Sequence, residues 1–167
     1  MAATIVVVQN WGLASASYYG EVAKNISNFL PIDDGLATKE DNPMQIPNTG
    51  TRYSMENWIR CRCDLAPDNY VNNFKVWYDS GLPSPGYNIT VNSSIVSTYQ
   101  KPVDTISTRG TRVDLTDNYD EASALSLDGT LVNIGDYTSW LIFQLEILTT
   151  AQIGSFSVDY IIQYDEA

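Results

Sequence analysis

Three long stretches of this chain alternate apolar and polar residues with a period of two, and that alternation constrains the fold more than any other feature. Trp140 to Leu148 sets Leu141, Phe143, Leu145 and Ile147 against Trp140, Ile142, Gln144 and Glu146. Phe156 to Tyr164 sets Phe156, Val158, Tyr160, Ile162 and Tyr164 against Ser157, Asp159, Ile161 and Gln163. Arg52 to Leu65 alternates over a length that predicts a long or bent strand. Its apolar-side set is Tyr53, Met55, Asn57, Ile59, Cys61, Cys63 and Leu65, with Trp58, Arg60 and Arg62 on the other side. Successive side chains of a strand point to opposite faces, so each stretch predicts a half-buried strand.

The remaining pattern fills in around these. Thr4 to Gln9 is a continuous apolar run suited to burial on both faces. Asn73 to Asp79 alternates, and Ser80-Gly-Leu-Pro-Ser-Pro-Gly after it is a turn. Tyr87 to Val91 and Ile95 to Gln100 flank Asn92-Ser-Ser, which predicts a hairpin. Thr105 to Leu115 reads as a weaker strand, and a short strand or helical turn is expected between Ala122 and Ile134. Only Thr149 to Gly154 separates the last two strands, so they are expected to pair antiparallel. The first and last strands, both apolar, are expected side by side in the centre of one sheet. Residues 10–50 break the pattern, with prolines at 31, 43 and 47 and paired acids. They predict a long loop or docking arm, with a helical turn at Tyr19 to Phe29. Seven or eight strands without long helices give an all-β chain, a single antiparallel β-sandwich domain spanning 1–167 and jelly-roll-like in arrangement.

Charge is distributed unevenly. The 167 residues carry a formal net charge of -11. Val113 to Ala167 holds ten Asp or Glu and no Lys or Arg, whereas the preceding 112 residues hold ten acids and nine bases. Phosphate binding rests on Lys and Arg, so nucleic acid is an unsuitable partner. An anionic membrane surface would repel the same charge, and no apolar run approaches the roughly 20 residues of a membrane-spanning helix. The start lacks the basic segment and apolar length of a signal peptide. The Asn-x-Ser/Thr matches at Asn25, Asn88 and Asn92 therefore carry little weight as glycan acceptors.

Chemistry-bearing clusters are sparse. There is no histidine, so a Ser or Cys nucleophile lacks its commonest base. Cys61 and Cys63 fall on one strand face and read as reduced, buried small hydrophobes; two thiolates are too few ligands for zinc. Asp79-Ser80-Gly81 resembles the carboxylate-bearing turn of aspartic proteases over three residues, but bulky Trp77 and Tyr78 precede it and Leu82-Pro83 follows; a strand ending in a turn accounts for it. Asp114, Asp117, Asn118, Asp120 and Glu121 supply the oxygens that calcium takes, without the spacing or glycine of an EF-hand. Trp58, Trp77 and Trp140 fall on the outward register, where they predict subunit packing or a sugar-stacking platform. No catalytic, cofactor-binding or metal-binding residue is assigned.

Phe74-Lys-Val-Trp-Tyr-Asp-Ser-Gly leading into a Pro/Gly turn, and the ending Phe156-Ser-Val-Asp-Tyr-Ile-Ile-Gln-Tyr-Asp-Glu, resemble segments of small β-sandwich virion proteins of tailed viruses, of the capsid decoration or turret type. The resemblance covers about half the chain. It implies a non-enzymatic virion structural protein on the capsid exterior, assembled in the host cytoplasm, whose partners are other virion proteins or copies of itself in a homo-oligomer. Nucleic acid and membrane are not expected partners. The alternative is a carbohydrate-binding or host-attachment module whose partner is a host glycan.

Overall fold

The computed structural model describes residues 2–12, 20–23, 28–34, 36–81 and 83–167. It is an all-β sandwich of two antiparallel sheets. The strands in chain order are β1 (Thr4–Trp11), β2 (Gly20–Ala23), β3 (Thr51–Tyr53), β4 (Asn57–Leu65), β5 (Val71–Ser80) and β6 (Tyr87–Asn92). They continue with β7 (Arg112–Asp114), one helical turn α1 (Leu115–Asn118), β8 (Leu125–Leu127), β9 (Leu141–Leu148) and β10 (Asp159–Glu166). The larger sheet runs β2-β1-β4-β9-β6-β7, with β3 also on β9, and the smaller runs β10-β5-β8. The layers are thus uneven, seven strands against three, and the likeness to a jelly roll stops at two antiparallel layers. Strands beyond the expected seven or eight are short pieces of three or four residues.

The alternation correctly marks most of the side chains that meet between the sheets, although Leu65 of the inward register is exposed and Trp58, Trp77, Trp140 and Ile142 of the opposite register are buried as well. Ile59, Cys61, Cys63, Leu141, Phe143, Leu145 and Ile147 from the large sheet meet Phe74, Val76, Leu125 and Leu127 from the small one. Burying side chains of this size contributes roughly 1.5–3 kcal/mol each. The long expected strand at Arg52 to Leu65 is bent: β3 and β4 lie along the same side of β9 and are interrupted at Ser54–Glu56. There the Ser54 amide donates to Leu145 O (2.9 Å), and the Ser54 hydroxyl oxygen accepts from the Leu145 amide (3.0 Å). A side-chain hydroxyl thereby stands in for one of the two main-chain bonds at the bend.

Several pairings differ from expectation. β9 and β10 do not pair; they belong to different sheets, and residues 149–158 cross between the layers. That arch docks on the β5–β6 turn, where the Leu148 amide donates to Gly86 O (2.8 Å) and the Tyr87 hydroxyl donates to Gln152 O (2.8 Å). β1 and β10 are not neighbours in one sheet either, since β1 sits between β2 and β4 while β10 is the edge of the small sheet. Ile95 to Gln100 is no hairpin partner for β6. Only Val96 makes a bridge, to Trp140, and β6 lies between β9 on one side and, after the long excursion 93–111, β7 on the other. Of the helical turn expected at Tyr19 to Phe29, Gly20–Ala23 is strand β2 on β1, whereas residues 19 and 24–27 lie outside the described residues. Of the described residues in the irregular segment, Phe29, Met44 and Ile46 pack on the core of the sandwich.

Candidate functional site

The outward face of the large sheet is a second, polar-aromatic core rather than an open platform. Trp58 is 0% exposed and Trp140 3%. Their rings meet at 5.7 Å, and Tyr99 from the 93–111 excursion packs on both, at 5.1 and 5.2 Å. The Tyr99 hydroxyl donates to Gly12 O (2.6 Å), fastening the cover. Gln144, also on this face, spends its amide group on Ser54 O and Thr105 O and accepts from the Ser107 amide. Trp77 on the small sheet is buried as well. Subunit packing or sugar stacking on these three indoles therefore has no exposed surface to use, because the chain's own loop satisfies the two on the large sheet.

Arg60 and Arg62 are engaged within the chain too. Glu21 on β2 accepts from both, at 3.1 and 2.7 Å, and Asp64 accepts from Arg62 Nε at 2.6 Å. Those carboxylates hold the Arg62 guanidinium more firmly charged than usual. Arg60 also lies over the rings of Tyr137 (3.5 Å) and Trp140 (4.1 Å). Arg112, half-buried beneath the same face, donates to Thr90 O and to Ile142 O, and desolvation lowers its pKa to about 10.

The acidic segment does not converge on a cation. Asp114 caps α1, accepting from the Thr116 and Asp117 amides. Asp120 accepts from the Ser123 hydroxyl and amide, which lowers its pKa. Among the described residues no three Cys, Asp or Glu side chains are grouped as a metal requires. In Asp79-Ser80-Gly81 the glycine is explained by packing: a Cβ there would lie 2.3 Å from Ser157 O. The Ser80 hydroxyl lies 3.3 Å from Asp79 Oδ2 and 3.2 Å from Asp159 Oδ2, all three residues being exposed. Cys61 and Cys63 are free and buried as expected, and burial pushes the Cys61 thiol up to about 12. Asn92 is 3% exposed, with its amide donating to Ser94 O and Trp140 O, so in the folded chain it cannot accept a glycan.

What remains is a cleft of about 760 Å³ between the layers. Its floor is the inner face of the large sheet at Ile89, Phe143 and Leu145, and one wall is Phe156, Val158, Tyr160 and Ile162 from β10 and the residues before it. The opposite wall is Phe29, Pro43 and Met44, and the exposed mouth carries Lys39, Glu40, Ser155, Ser157 and Asp159. No residue of β5 or β8 lines it, so it lies on the side of β10 away from β5. Tyr160 stacks on Phe143 at 5.1 Å, and burial raises its phenol to about 12. The sequence pattern marked these side chains as core, and nothing in an alternating stretch signals that its partner layer ends one strand short. Compared with protein-family models, curated proteins and solved structures, the chain matches none.

Proposed function

We propose that this chain is a non-enzymatic structural subunit of a virus particle, an outer decoration or turret component that works by contact with other proteins. The observation that carries the reading is the open edge of β10, an eight-residue strand with no partner on its other side among the described residues. Open edges recruit further strands, and here the edge is continuous with an apolar cleft. The two segments that resemble virion proteins, around β5 and β10, are hydrogen-bonded neighbours and form most of the small sheet. The acidic surface favours the outside of a particle over its nucleic-acid-facing interior.

Mass spectrometry of density-banded virus particles from cells that encode the chain tests this. The chain is expected at a fixed copy number relative to the shell protein and cleaved by added protease while the particle stays intact. Its absence from washed particles, with saturable binding on a glycan array, would move the assignment to the host-attachment alternative.

A further inference from the structure

We infer that the cleft beside β10 is an acceptor groove for one extended strand of a different chain, in which apolar residues alternate with Lys or Arg. Three observations converge. The main-chain groups along the free edge of Asp159–Glu166 have no strand partner among the described residues. The inward face of this strand is unfinished: Phe156, Val158, Tyr160, Ile162 and Tyr164 are all only half-buried, whereas Phe74 and Val76 on the neighbouring β5 are 1% and 0% exposed. The cleft continues the same layer, as a further strand added to β10 would lie over the floor at Phe143 and Leu145. Such addition joins main-chain hydrogen bonds to pockets for alternate side chains.

Charge selects the occupant. β10 carries Asp159 at one end and Asp165 and Glu166 at the other, and Glu40 stands at the mouth against one cation among the described lining residues, Lys39. Among the described residues, the bonds these β10 carboxylates accept come from neutral groups, namely the Ser80 hydroxyl, the Asn73 amide and the Ala3 amide, and none of the ion pairs there involves them. A second copy pairing antiparallel along the same edge would set Asp159 against Asp165 or Glu166, and like charges directly opposed destabilise a strand pair. A basic strand meets the opposite situation. The inference deepens the virion reading above and rests on the same open edge of β10, naming the chemistry of what that edge would accept. The following experiment concerns the cleft alone, so either can fail without the other.

The test uses the full chain and three fluorescent peptides matched to β10 in length: valine alternating with lysine, valine alternating with glutamate, and the lysine peptide with a central proline. Fluorescence anisotropy is expected to show saturable one-to-one binding of the lysine peptide. The other two are expected to bind at least about tenfold more weakly, since proline removes a ladder donor and glutamate meets like charge. In Asp159→Lys with Asp165→Lys, two exposed positions, the preference between lysine and glutamate peptides should invert while the circular-dichroism melt stays cooperative. Equal binding of all three peptides, or no inversion in a folded double variant, overturns the inference. So does no peptide binding while the uncharged probe N-phenyl-1-naphthylamine saturates at one per chain, which would make the cleft a small-molecule site. Concentration-dependent dimerisation blocked by Val158→Arg would assign it to a second copy and equally overturn the inference.

Discussion

At the residue scale, the most informative pair is Cys61 and Tyr160, two acids kept protonated by burial on facing layers. The Cys61 thiol is raised from 9.0 to about 12 and the Tyr160 phenol from 10.0 to about 12, both first by desolvation. A raised pKa means the folded chain keeps a proton that the unfolded chain releases. The stabilisation is therefore complete below about pH 9 and is lost as pH rises toward 12. One pKa unit corresponds to about 1.4 kcal/mol, so urea midpoints should fall steeply between pH 9 and 11. Cys61→Ala should start lower, because it leaves a cavity, yet decline less steeply over that window. Parallel declines in the two proteins would show that the thiol is not what the fold protects.

At the element scale, the arch between β9 and β10 decides the topology, and Gly86 is where it lands. Gly86 has φ +86°, and a Cβ there would lie 2.5 Å from the Ala151 backbone. Gly135 has a similar φ of +89° but nothing within 4 Å. An alanine at either site meets the left-handed strain of roughly 1–2 kcal/mol, and only at Gly86 must backbone also move. Gly86→Ala is accordingly expected to lower unfolding free energy by about 2 kcal/mol more than Gly135→Ala. Equal losses by chemical denaturation would mean that the arch does not rest on this turn. β2 illustrates a second device at this scale: Glu21 ties it to Arg60 and Arg62 on β4 across the intervening β1. Those arginines thus serve the fold of their own chain.

At the scale of the whole molecule, a net charge of -11 on 167 residues opposes compaction. Screening shortens the reach of charge from about 30 Å at 0.01 M salt to about 3 Å at 1 M. The melting temperature should therefore rise by several degrees over that range, because self-repulsion is spread over the entire acidic third, whereas the few surface ion pairs contribute roughly 0–1 kcal/mol each. A falling melting temperature would give the Glu21 and Asp64 pairs the larger role. The division between sequence and tertiary structure follows from what a period of two encodes. Alternation in Trp140–Leu148 and Phe156–Tyr164 determined the β-class, the faces and the core side chains, because facing is a local property of extended backbone. It carried no information on partners, so the same two stretches fell into different sheets once the arch docked on Gly86. Nor did it carry the covering of Trp58 and Trp140, which depends on where the 93–111 excursion folds back, or the cleft, which exists because the small sheet ends at β10 while the large one continues beneath it. Those are long-range choices, settled only when distant segments compete to bury the same surfaces.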